Sequence, residues 1–345
     1  MSKQAKPARR PDIGGQAVME GVMMRSPDAI AISVRRPDGT IVTKRTPFEP
    51  LSKKHKWMGW PFVRGIVSFV TMLTSGMDTL QESTKMLGVL DEEPTKFEKW
   101  LAQKLGKGID KIVMATAVVL AVALSVLLFI AVPAALETWL KSIGMGPVGY
   151  TLLGGLLKIA ILVGYMVFCG CVPDVRRTFM YHGAEHKTVY CHEADLPLTP
   201  ANAQQFTTLH PRCGTSFLLI VFTISILLFL VLNVLLPISN YFLRLLFHLA
   251  MLPIVAGVSY EVLKGLSHNE SKVCKMLRWP GLQMQRLTTR KPTDDMLEIA
   301  IVSMNVALHG LPKGCETTAD GYTIVPDYRL ADPVLCKEVE KAENV

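Results

Sequence analysis

Charge is scarce in the middle of this chain. Outside residues 173–214, the stretch 112–260 carries only Glu137, Lys141, Lys158 and Arg244. Charged residues make up 19% of the 345-residue sequence, below the quarter usual in soluble domains, and apolar ones 50%. Long uncharged runs exclude an ordinary soluble enzyme and point to membrane spans. Cysteine is limited to seven, an odd number that fits no disulfide framework. Residues 1–15 lack the apolar core of a secretory leader, so none is expected. Also missing are an internal repeat, a phosphate-cradling Gly loop and a Gly-x-Ser-x-Gly elbow, which removes the P-loop and serine-hydrolase readings.

A net charge of +8 would suit nucleic acid, but its distribution does not. Residues 1–111 carry nineteen Lys/Arg, 173–214 carry four and 261–345 carry eleven. The connections between the apolar runs are nearly bare of them, the asymmetry that the positive-inside rule produces. It predicts a lipid bilayer and no nucleic acid as partner, with both termini and the loop 173–214 in the cytoplasm. Thiols on that side stay reduced.

Four spans are expected, at 112–136, 148–172, 217–236 and 241–260. Each has about 20–25 residues, enough at 1.5 Å per residue to cross a bilayer. Lys158 in the second is either a functional group or, as favoured here, a side chain that snorkels to the outer face. His248 in the fourth is expected to be packed and hydrogen-bonded, and Pro253 to kink that helix. Only 137–147 and a short hairpin at 237–240 remain outside. Segment 61–77 is apolar but short and has basic flanks on both sides, which predicts an interfacial or membrane-dipping helix.

The expected fold class is an α-helical integral membrane protein with four transmembrane helices and a small cytoplasmic α+β unit. Residues 1–12 form a disordered basic tail and 13–111 a cytoplasmic N-terminal region. Within it Ile30, Ile32 and Val34 alternate before the Asp38-Gly39 turn, predicting a β-hairpin over 29–46. Residues 79–111 read as a polar helical connection. Residues 261–312 supply cytoplasmic helices, one over 294–308 capped by Thr293 with the stripe Leu297, Ala300, Ile301, Met304 and Leu308. Residues 313–345 read as a loosely ordered tail. Glu20, flanked by apolar residues and Gly21, either pairs with Arg25 in a tight turn or offers its carboxylate to a site.

Chemistry concentrates in Tyr181-His182-Gly183-Ala184-Glu185-His186-Lys187. On a helix His182 and His186 share a face, and two imidazoles so placed can hold one metal ion with Glu185 beside them as a base. Gly183 weakens such a helix by about 1 kcal/mol relative to Ala. Further ligand types follow at Cys191, His192, Glu193, His210 and Cys213. Glu261 returns to the same face after the third and fourth spans, as a third ligand would. Three arrangements stay open. His182, His186 and Glu261, with Glu185 as base, make a hydrolytic Zn2+ site. His182, His186, His210 and Cys213 make a closed structural one. Without metal, Cys213 is a nucleophile activated by histidine, at the N-terminus of the third span.

The motifs Gly14 to Arg25 (GGQAVMEGVMMR), Tyr181 to Lys187, His210 to Ser216 (HPRCGTS) and Gln285 to Thr289 (QRLTT) resemble the YqhQ-like family of bacterial membrane proteins. The resemblance runs from about Gly14 to Leu308. It implies a multi-pass protein of the bacterial cytoplasmic membrane, of a family described as predicted metal-dependent enzymes, and supplies neither reaction nor catalytic set. The function expected is a metal-dependent membrane hydrolase acting on a substrate of unread class. The alternatives are a non-enzymatic scaffold or regulator with a structural metal or none, and a transporter, which with four spans would need to form a homo-oligomer.

Overall fold

The computed structural model describes residues 13–49, 51, 55–88, 109–211, 213–236, 238, 240–267 and 271–333. The expected tail 1–12 and most of the connection 79–111 lie outside them.

Five antiparallel strands form a meander in the order β1 (Gly14–Val18), β2 (Gly21–Arg25), β3 (Ala29–Arg35), β4 (Ile41–Pro47) and β5 (Thr323–Val325). The predicted hairpin is β3–β4, with Gly39 at φ +90° in its turn. Two more strands precede it, and within the segment after Lys313 residues 323–325 pair with 41–43. Alternation sends Val22, Met24, Ala31 and Ile41 to one face and Val18, Met23, Ile32, Val34 and Val42 to the other. Both faces are covered.

The helices, in chain order, are α1 (Val63–Met86), α2 (Ile109–Val126), α3 (Val132–Ser142), α4 (Pro147–Cys171), α5 (Pro173–Glu193), α6 (Pro200–Gln204), α7 (Gly214–Leu235), α8 (Tyr241–Ser267), α9 (Lys272–Thr288) and α10 (Asp294–His309). Among the described residues four helices are long and apolar enough to cross a membrane: Ala115–Ser142, Pro147–Cys171, Leu218–Leu235 and Tyr241–Leu266. The first joins α2 and α3 through a π turn at Leu127–Ala131. Pro133 lacks an N–H and crowds the carbonyl four residues earlier, and the wider turn relieves both. The helix therefore continues through Glu137 to Ser142, beyond the 136 expected. The predicted interfacial helix is α1, longer than 61–77; its glycine Gly65 lies against Gly257 and Tyr260 of α8, and its last residues, with Leu87, reach the sheet.

The predicted stripe on α10 is buried, but so is nearly every other side of that helix. Met296, Ile299, Val302 and Val306 are as enclosed as Leu297 and Ile301. The reason is that α10 lies between two layers, the sheet on one side and α5 on the other. Ser303 donates to the Ala31 carbonyl at 3.0 Å, which satisfies its hydroxyl in the core.

The connection 173–214 is dominated by α5, which carries His182 and His186 on a helix as their spacing implies. Val172 is extended, as the residue before a proline prefers, and Pro173 takes the first helical position, where no N–H is needed. One break thus separates α4 from α5 and turns the chain out of the long-helix bundle into the sheet-bearing unit.

Inside the bundle Lys158 does not snorkel. It is 5% exposed, with Nζ 5.3 Å from the centre of the Phe229 ring and Glu137 facing it. Arg244 Nη1 lies 3.5 Å from Glu137 Oε2, its Nη2 donates to Ile238 O at 2.9 Å, and its guanidinium stacks over Tyr150. Gly154 makes room: a Cβ there would sit 2.4 Å from Glu137 Oε1. Asn233 bonds Thr151 Oγ1 at 2.9 Å and also reaches Glu137. His248 is packed against Phe229, as expected, but neither ring nitrogen has a hydrogen-bond partner among the described residues.

One carboxylate thus serves two buried cations. Replacing it with leucine in Glu137→Leu strands both, and such a break costs about 3–5 kcal/mol. We expect a clear fall in the melting temperature of the detergent-solubilised protein, partly restored in Glu137→Leu/Arg244→Met. A wild-type melting temperature for the single variant would show that Glu137 is not the counter-ion.

Candidate metal centre

The site grows from the middle of α5. His182 and His186 are one turn apart, with ring centroids 4.4 Å apart and edge to face. Their Nδ1 atoms are both taken by main-chain carbonyls: His182 Nδ1 lies 2.9 Å from Thr288 O, and His186 Nδ1 lies 2.5 Å from Thr208 O. A carbonyl only accepts, so each Nδ1 carries the proton and donates it. In the neutral rings each Nε2 is then left with a lone pair. His182 Nε2 points to Cys213 Sγ at 3.2 Å. His186 Nε2 is buried, makes no hydrogen bond among the described residues, and lies 3.4 Å from Glu185 Oε2. His182, His186 and Cys213 each offer a ligand atom, all within 4.8 Å of one another.

An orphaned imidazole nitrogen deep in a protein calls for an explanation. A metal ion supplies one, because metal-bound histidines commonly donate their other N–H to a carbonyl or carboxylate, which fixes tautomer and ring. The donor set of two imidazoles and one thiol fits Zn2+. The residues present therefore fit the group.

The carbonyls themselves are held from behind. Lys187 Nζ donates to Gln204 O at 2.8 Å and also to Phe206 O, which fixes the chain just before Thr208. Burial, reinforced by Lys291, pulls the Lys187 ammonium below its ordinary pKa. Gln285 of α9, wholly buried, accepts from His210 N and donates to His210 O, both at 2.7 Å. Arg290 N donates to Phe179 O, so the segment after α9 docks along α5. There Gly183 gains its meaning. A Cβ on it would lie 2.0 Å from Arg290 O. The residue that weakens the helix is what lets the Thr288–Arg290 backbone come close enough to hold His182. Gly15 does the same for β1, where a Cβ would lie 2.6 Å from Glu185 Cγ.

Not every expected ligand joins. Glu261 is placed elsewhere: Arg64 Nε reaches its Oε1 at 2.7 Å, Arg64 Nη2 binds its Oε2, and Phe62 N approaches Oε1. Both oxygens are engaged by α1, because Glu261 sits where α8 meets that helix. His210 lies beside the cluster without entering it, its ring 5.6 Å from that of His186 and its Nε2 3.5 Å from Glu193. Burial holds its pKa below the ordinary value, against the pull of Glu185. Cys191 faces the core; burial pushes its thiol up to about 11, so it stays protonated. Glu20, in the β1–β2 turn at φ 48°, pairs with Arg177 and accepts from Tyr181 at 3.2 Å, not with Arg25. Thr208 and Thr288 were missed by sequence reasoning. The Gln285–Thr289 motif was the one signal near them.

Residues 60–310 match the model of a family described as "Protein of unknown function (DUF1385)". The chain is 35% identical over 311 residues to the "Uncharacterized protein YqhQ" of Bacillus subtilis (strain 168), which covers 89% of this chain and 95% of that relative. No solved structure matches.

The Gly183 contact reverses an ordinary expectation. Ala is the better helix former by about 1 kcal/mol, yet Gly183→Ala must push Arg290 away. We expect the variant to be less stable and to lose the His182 Nδ1 bond, seen as an altered His182 imidazole signal in ¹⁵N NMR. An unchanged signal with raised stability would show that the approach is not required.

Proposed function

The chain belongs to the DUF1385 family, and since that membership names no reaction, we propose one from the site: metal-dependent hydrolysis at the cytoplasmic face of a bacterial membrane. His182 Nε2, His186 Nε2 and Cys213 Sγ would hold one Zn2+ ion. The single observation that carries this reading is the buried Nε2 of His186, without a hydrogen bond among the described residues, beside two other ligand atoms. Three protein ligands favour a catalytic over a structural site, because structural zinc is closed by four and catalytic zinc keeps a position open. Bound there, the ion would supply an acidified water and polarise a carbonyl or phosphoryl oxygen.

The chain's own residues do the rest. Thr208 and Thr288 carbonyls hold the two rings in the binding tautomer. Glu185, 6% exposed and 3.4 Å from His186 Nε2, takes the proton of a water at the site. Gly15 lets β1 close over that carboxylate and limit solvent. The Lys/Arg asymmetry supports a cytoplasmic position for α5 and both termini. A second reading rests on the His182–Cys213 contact: with no metal, His182, oriented by the Thr288 carbonyl, activates the Cys213 thiol as a nucleophile.

Metal analysis of protein purified without a His-tag should give about one Zn2+ per chain. His182→Ala, His186→Ala and Cys213→Ser should each lose it. Glu185→Gln should keep metal and melting temperature while abolishing function in a complementation assay. Full occupancy in both histidine variants would remove the metal reading, and a functional Glu185→Gln would remove hydrolysis. Bound Zn2+ should also shield Cys213 from alkylation; rapid alkylation in the metal-free protein, with function intact, would favour the thiol reading.

Topology has its own check. Reporter fusions after residues 145 and 195 should report opposite sides of the membrane. An external signal at 195 would place the site outside.

A further inference from the structure

Helix α9 has two unlike halves. Arg278, Gly281, Met284, Gln285 and Thr288 are buried, and α9 packs along α7 and α4 with a lighter contact to α8. It therefore lies against three of the four long apolar helices. In its first two turns Val273 is 61% exposed, Met276 67%, Leu277 53% and Trp279 60%. Beside them stand the exposed Lys272 and Lys275. No described residue covers them. A water-facing helix rarely presents such a group, while apolar residues with a tryptophan and flanking lysines suit the headgroup layer of an anionic leaflet.

A second element on the same side shares this character. The 3₁₀ turn Lys56–Gly59 and its neighbours expose Trp57, Trp60 and Phe62, and Phe62 O abuts Gly257 of α8. The turn and α9 thus both adjoin α8.

We propose that the exposed first half of α9 is seated in an anionic lipid surface, and that this seat sets the geometry of the metal centre. The coupling runs through contacts already described. The exposed apolar residues are at the start of α9, and its last turn carries Gln285, which grips His210, and Thr288, whose carbonyl holds His182. The helix runs from those residues through Pro280 to the site, so a change in how its first half is seated is carried along the same element to Gln285 and Thr288. This coupling deepens the metal reading and rests on it, whereas the seat does not.

The test uses the full chain in nanodiscs, either of phosphatidylcholine alone or with phosphatidylglycerol. Trp279 emission is the difference between wild type and Trp279→Phe. Shallow-labelled quencher lipids should quench it, more strongly with phosphatidylglycerol, and Lys272→Glu/Lys275→Glu should abolish the lipid preference. An unquenched Trp279 would overturn the seat, as would cross-linking that finds residues 89–108 on Met276. Apparent Zn2+ affinity should rise by at least about fivefold in phosphatidylglycerol, and Lys272→Glu/Lys275→Glu should remove that rise. Equal affinity in both lipids would overturn the coupling. Zn2+ binding in neither lipid would count against the metal reading, while quenching still decides the seat.

Discussion

Two hydrogen bonds from imidazole N–H groups to main-chain carbonyls hold this molecule's histidine–cysteine cluster in place. Each comes from Nδ1 of a histidine on α5, one to Thr208 and one to Thr288. Without them His182 and His186 would rotate or change tautomer, and their Nε2 atoms would not converge with Cys213. Much of the surrounding chain serves to bring those two carbonyls into place. Lys187 holds the segment before Thr208, Gln285 clasps His210, and Gly183 admits the backbone near Arg290. The cost is visible in a helix that carries a glycine at its centre and a lysine ammonium in a buried setting.

The same constraint explains why α5 needs neighbours on every side. A helix bearing Glu185, His186 and Lys187 as buried residues is not stable on its own polarity. Its apolar residues Tyr181, Ala184, Val189 and Cys191 enter one cluster with α10 and the sheet. That layer supplies the burial, and the carbonyls supply the hydrogen bonds. Buried polar groups are tolerated when each is satisfied; His186 Nε2 stands out because it lies beside two other potential ligand atoms.

Much of this was legible in the residues. The runs without charge marked four long helices, and the spacing of His182 and His186 with the later Cys213 marked the site. The hairpin followed from the alternation of Ile30, Ile32 and Val34 with Asp38-Gly39. What stayed hidden has common physical causes. A carbonyl oxygen has no residue identity, so Thr208 and Thr288 gave no signal as partners. Glu261 lay on the right side of the bundle, but sequence separation could not reveal that Arg64 would take both its oxygens. Lys158 looked like a snorkelling side chain because its counter-charge, Glu137, lay just past the expected end of the first long helix, which the π turn before Pro133 carries onward. The strand at 323–325 is too short to show a period.

The position of α5 sets a final limit on what the site can meet. It begins immediately after α4 ends, and His182 is nine residues past Pro173, at most about 14 Å of helix. With α4 in a bilayer, the cluster would stand at headgroup depth or just beyond it. A site at that depth, closed on one side by β1 and on another by α10, is poorly placed for a large folded substrate from the aqueous side. The same depth suits a molecule whose reactive bond lies near the membrane surface. On the hydrolytic reading proposed above, distance and enclosure would favour substrates that the bilayer itself presents.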